Sequence, residues 1–108
     1  MIDKLYTTPS PNIDSLTIKK HLKKHYGIEG KLTFYPSDRD QIISIKTDKN
    51  QYILKVYNFF EDLYNVKMQI SALTHIHSSG FPFDIPIPIQ GLKSIKHISK
   101  KYISCLFS

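Results

Sequence analysis

Apolar residues change their period along this chain. Ile18, Leu22 and Tyr26 recur every four residues behind Asp14 and Ser15, two good N-cap residues, and Gly27 stands where a helix would stop. That spacing predicts a helix over residues 15–26. Period two then takes over. Leu32 and Phe34 alternate with polar neighbours over residues 31–35, and Pro36-Ser37-Asp38-Arg39-Asp40 breaks the run. Ile42, Ile43 and Ile45 mark a second strand over residues 41–47. Asp48-Lys49-Asn50 is turn chemistry, with Asn50 the residue best suited to a positive φ. Residues 51–57 read as a third strand, and the short connections make the three an antiparallel meander.

Helical spacing returns after Asn58, which with Glu61 reads as an N-cap and its reciprocal acid. Leu63, Val66, Ile70, Leu73 and Ile76 trace one stripe with Ala72 beside it, and the helix is expected to end near Ser78-Ser79-Gly80. Pro82, Pro86 and Pro88 forbid a helix through FPFDIPIPI, so that segment should run extended. Gly91 is a turn candidate. Residues 95–98 and 102–107 are two further short strands. The pattern predicts an α+β fold: a five-stranded antiparallel sheet with one packed helix, plus an N-terminal helix. Residues 1–13, polar and holding Pro9 and Pro11, read as an extended lead-in, and residues 14–108 as the folded unit.

Composition narrows the class. Of 108 residues, 41% are hydrophobic and 22% charged, which suits one globular domain rather than a disordered chain. No apolar run approaches the ~20 residues of a membrane span. The single cysteine, Cys105, excludes an internal disulfide and fits a reducing, cytoplasmic setting. A net charge of +6 permits an anionic partner without choosing one. Lys19, Lys20, Lys23 and Lys24 form a basic face of the first helix, most simply a solvated one. His21 and His25 have a metal-compatible spacing, but lysines flank both and no carboxylate or cysteine partner is evident. No metal ligand is assigned, and His75, His77 and His97 carry no pattern.

The chemistry concentrates on Lys55. It stands inside Ile53-Leu54-Lys55-Val56, and an ammonium among apolar residues loses hydration unless it reaches water or an anion. One reading is a lysine snorkelling from a sheet edge. The other is an anionic partner, either a carboxylate from the following helix or a ligand phosphate under the 36–40 loop. That loop offers backbone N–H groups, the Ser37 hydroxyl and the Arg39 guanidinium.

Tyr26-Gly27-Ile28, Pro36-Ser37-Asp38-Arg39-Asp40-Gln41, Tyr52-Ile53-Leu54-Lys55-Val56, Met68-Gln69-Ile70-Ser71-Ala72-Leu73 and Ile85-Pro86-Ile87-Pro88 occur here in one order. In that order and spacing the chain resembles the N-terminal lobe of the aminoglycoside phosphotransferase and choline kinase superfamily. The subgroup most similar is hydroxylysine kinase-like, with S-E-R-D-Q-N before a strand and Y-V-L-K-I after it. The resemblance covers about residues 15–108. It implies a protein-kinase-like, ATP-binding lobe in which the loop at Ser37, Asp38, Arg39 and Asp40 covers the phosphates and Lys55 contacts them. Ile53 would roof the adenine, joined by Ile43 and Ile45. Leu106 and Phe107 would lie at or near the hinge, whose backbone meets the adenine edge. Gln69 aligns with the helix glutamate that orients the lysine, and a neutral amide there gives a hydrogen bond but no ion pair. Ile42 replaces an asparagine of the subgroup, and Asp38 a glutamate.

The superfamily's H-G-D catalytic loop and its later magnesium-binding aspartate belong to a C-terminal lobe, and no H-G-D occurs in these residues. The resemblance therefore implies the nucleotide half of a small-molecule kinase, as a truncated product or separated domain. It would carry no catalytic residue of its own and use Mg2+ only with the second lobe. The implied partners are a nucleotide and that missing lobe, or another chain covering the hinge side. Self-association is also expected, through exposed apolar surface and strand pairing near residues 103–107. The competing reading is a non-enzymatic basic module keeping the same fold. It would use the lysines of the first helix with Lys93, Lys96, Lys100 and Lys101 against nucleic acid or an acidic protein. The interleaved aromatics of an RNA-binding sheet are not evident, so nucleic acid is the weaker expectation.

Overall fold

The computed structural model describes residues 11–37, 39–58, 63–80 and 87–108. Helix α1 (Ser15–Tyr26) begins at Asp14, whose carboxylate accepts from Thr17 N at 3.1 Å and from Thr17 Oγ1 at 2.6 Å. It ends at Gly27, left-handed at φ 66°, whose N–H donates to the Lys23 carbonyl. Three strands follow, β1 (Lys31–Tyr35), β2 (Gln41–Lys46) and β3 (Gln51–Val56). Helix α2 (Leu63–Ser78), a 3-10 turn (Gly91–Ser94), β4 (Ile95–His97) and β5 (Ile103–Phe107) complete the described elements.

All neighbouring strands are antiparallel, in the order β1-β2-β3-β5-β4. The expected five-stranded α+β architecture is what forms. The β2–β3 turn differs from expectation. No described non-glycine residue has a positive φ, so Asn50 does not supply one. Thr47 organises the turn instead: its Oγ1 accepts from Asn50 N at 3.0 Å, and its N–H donates to the Asn50 carbonyl at 2.9 Å. A β-branched hydroxyl residue replaces left-handed backbone by bonding across the turn.

Each helix covers one face of the sheet. Ile18 and Leu22 of α1 pack with Ile43, Ile45, Leu54, Val56, Ile98 and Leu106. Val66 and Ile70 of α2 pack on the other face with Tyr57, Cys105 and Phe107, and Ile53, Leu73, Ile95 and Ile103 join them. The α2 stripe is shorter than its sequence suggests, since Leu63 and Ile76 at its two ends are exposed. Glu61, the reciprocal half of the expected Asn58 cap, and most of the proline segment lie outside the described residues. Where description resumes, Pro88 bridges Phe107, and Ser108 N donates to the Ile87 carbonyl at 2.9 Å.

The topology corrects the expected site of strand pairing. β5 is hydrogen-bonded on both sides, so residues 103–107 offer no open edge. Among the described residues the edge strands are β1 and β4, and β1 exposes Phe34 and Tyr35. No described helix is long and apolar enough to cross a membrane.

Candidate functional site

Lys55 lies on β3, the central strand, which rules out an edge lysine reaching sideways into water. Its cross-strand neighbours are Ile42 and Cys105. Its Nζ lies 3.6 Å from Asp40 Oδ2 and 4.9 Å from the centroid of the Tyr57 ring. About a third of the Lys55 side chain stays open to solvent (33%), whereas that of Asp40 is nearly closed off (8%). The ammonium is thus held on two sides and open on another, an arrangement that an anion can complete.

Asp40 is fixed by more than its ion pair. Its Oδ1 accepts from Asn58 N at 2.7 Å, and its own N–H donates to Ser37 Oγ at 3.2 Å. Asn58 Nδ2 donates to the Arg39 carbonyl at 3.1 Å. Next in sequence, the Gln41 amide exchanges two hydrogen bonds with the Ile13 backbone, at 2.8 and 3.0 Å. The β1–β2 loop is therefore tied both to the end of β3 and to the lead-in before α1. Asn58 is 2% exposed, so its bonds to the loop lie in a dry setting where they hold firmly.

The structure brings Lys55, Ser37, Arg39 and Asp40 together at one end of the sheet, with Ile53 on the Lys55 face. It separates others. Ile45 and Ile43 are opposite Tyr52 and Leu54, on the α1 face and fully buried, so the expectation that they line a nucleotide beside Ile53 is corrected. Leu106 likewise packs on the α1 face, and its carbonyl accepts from Ile89 N at 3.1 Å. Phe107 shares the face of Lys55 and pairs with Ile53. Gln69 is exposed on α2 and makes no hydrogen bond to Lys55, so it does not orient the lysine among the described residues. Asp38 lies outside those residues.

Period two along β3 already puts Tyr57 on the face of Lys55; the neighbours that the sequence does not disclose are Ser44, Asn58 and the cross-strand placement of Ile42. Ile42 and Ser44 are the β2 residues on the Lys55 face, opposite Lys55 and Ile53. Counting outward from the Thr47–Asn50 turn would have found them, because residues opposite each other in an antiparallel pair share a face.

Two other groups sit apart from this site. The lysines of α1 lie exposed on the helix that covers the opposite face. His21 is buried beneath them, its Nε2 3.2 Å from Ser104 Oγ and its ring 4.7 Å from that of His25. Burial, with the charges of His25, Lys96 and Lys24, lowers its pKa to about 4. No described group of three His, Cys, Asp or Glu side chains is arranged to hold a metal.

No protein-family model and no curated protein matches this chain. Among solved structures it is similar to the spectinomycin phosphotransferase APH(9)-Ia, crystallised in complex with ADP and spectinomycin. The TM-score is 0.65 at 19% sequence identity, covering 90% of this chain and 30% of that one. The likeness is one of fold, and this chain spans under a third of that phosphotransferase. The shared fold is a kinase-like N-lobe.

Proposed function

We propose that this chain is the ATP-binding lobe of a small-molecule phosphotransferase acting on a hydroxyl of an amino acid, an amine or an aminoglycoside. The observation that carries the reading is Lys55 on the central strand, partly open, and paired with Asp40 of the β1–β2 loop, which also holds Ser37 and Arg39. Its likeness in fold to a protein crystallised with ADP supports it. The hydroxylysine kinase-like motifs around Ser37 and Lys55 favour that subgroup.

In this reading Lys55 and the loop bind the phosphates, Ile53 and Ile42 meet the base or ribose, and the lobe holds nucleotide without transferring phosphate. The base that deprotonates the acceptor, the Mg2+ ligands and most acceptor contacts come from a second lobe covering the hinge side. A cytoplasmic setting accords with the single, buried thiol of Cys105. Isothermal titration of the 108-residue chain tests the proposal. ATP and ADP should bind while adenosine binds at least tenfold more weakly, and Lys55→Met should remove roughly ten- to a hundredfold of ATP affinity, the worth of one charge-assisted contact. Equal affinity for ATP and adenosine would sink it.

A further inference from the structure

We propose that Asp40 is the positioning residue for Lys55, and that it joins the lysine to the β1–β2 loop as one preorganised unit. The orienting group then comes from the loop and not from α2.

Three observations converge. The carboxylate is already in place, with Oδ2 3.6 Å from Lys55 Nζ. Asp40 cannot easily leave that place, because its side chain is nearly buried, its Oδ1 is held by Asn58 N–H and its backbone by Ser37 Oγ. The described α2 segment, LYNVKMQISALTHIHS, carries no carboxylate, and its residue nearest the expected role, Gln69, is exposed.

The physical consequence follows from side-chain freedom. A lysine stem has four rotatable bonds and loses much of its rotamer entropy when its head is pinned. A partner that pins it before a ligand arrives removes that cost from the binding step. The Tyr57 ring, 4.9 Å from Nζ, narrows the remaining conformations from another side. Because Asp40 also closes the loop carrying Ser37 and Arg39, a displacement of the loop moves the lysine's partner with it. Loop and lysine should therefore order and disorder together.

The test uses the isotopically labelled full chain and its D40N and Q69A variants. Asn at position 40 keeps a carbonyl oxygen for the Asn58 N–H and replaces the charged oxygen that faces Lys55 with a neutral NH2 group. The expected result is loss of the Lys55 Hε–Tyr57 ring Overhauser effect and a lower Lys55 Cε order parameter in D40N, with Q69A unchanged. An effect retained in D40N, or lost in Q69A, overturns the proposal. Should D40N not fold, K55M tests the pair from the other partner: the Asp40 Cγ chemical shift should move, and an unmoved shift overturns it.

A second arm rests on the nucleotide-binding reading. In titrations with Mg2+-ATP, D40N should change affinity at least threefold in the wild-type background and leave it unchanged in the K55M background. The same change in both backgrounds means that Asp40 does not act through Lys55. If the wild-type chain binds no ATP, the nucleotide reading fails, and the Overhauser comparison still decides the role of Asp40.

Discussion

Lowering the pH from 7 to 5 is expected to destabilise this fold through His21. The side chain sits between α1 and the sheet, against Ser104 of β5, with His25 and Lys24 on its own helix and Lys96 on β4 facing it. Burial and these charges disfavour the imidazolium, lowering the folded-state pKa from 6.5 to about 4. The unfolded chain therefore takes up a proton below pH 6.5 that the folded chain refuses until about pH 4. Stability is unaffected above that window, falls as pH drops through it, and levels off below it. The loss is about 2 kcal/mol at pH 5 and on the order of 3 kcal/mol below pH 4, a large fraction of a small domain's stability. Urea unfolding followed by circular dichroism at pH 7, 6 and 5 measures it, with His21→Gln as the non-titrating control. His25 shifts in the same direction, so the control should retain a shallower slope. Wild type and variant losing stability in parallel between pH 7 and 5 would refute the linkage to His21.

The remaining expectations concern packing and edges. Ile45→Ala should cost about 2–4 kcal/mol of stability and leave ATP affinity unchanged, because Ile45 is fully buried on the face away from Lys55; paired denaturation and titration check both halves. Ile53→Ala, on the Lys55 face, should instead weaken ATP binding several-fold in the same titration. Gly30→Ala should cost more than about 1 kcal/mol, since a Cβ there would lie 2.6 Å from the Lys46 carbonyl oxygen, a backbone atom that moves only if β1 and β2 part; thermal melts read this directly. Self-association, where it occurs, should run through the β1 edge, so Phe34→Lys should lower the apparent mass in light scattering while a substitution in β5 should not.

Local signals carried much of the fold. Asp14 and Gly27 bound α1 where capping chemistry says they should, because caps act within one turn of the backbone. Lys55 stood out because a charge among apolar residues is costly wherever it falls. What the chain did not disclose locally was which β2 residues share the face of Lys55. That depends on register, and the isoleucine run at residues 42–45 masks alternation by placing apolar side chains on both faces. Ile45 therefore looks like a neighbour of Ile53 in sequence but is opposite Tyr52, on the α1 face. The Asp40–Lys55 pair depends on contacts fifteen residues apart, and the hydrogen bonds of Asn58 on eighteen or more. No local pattern encodes such separations. The sheet order is non-local too, with β5 inserted between β3 and β4.

In the proposed reading, nucleotide phosphates bind at Lys55 and the β1–β2 loop. The most direct test is a titration of the labelled chain with Mg2+-ATP, followed by amide and lysine side-chain NMR shifts. Saturable shifts are expected at Ser37, Arg39, Asp40, Lys55 and Ile53, with Lys19, Lys20, Lys23 and Lys24 of α1 unmoved. Shifts confined to those α1 lysines, or none up to millimolar ATP, would contradict that reading.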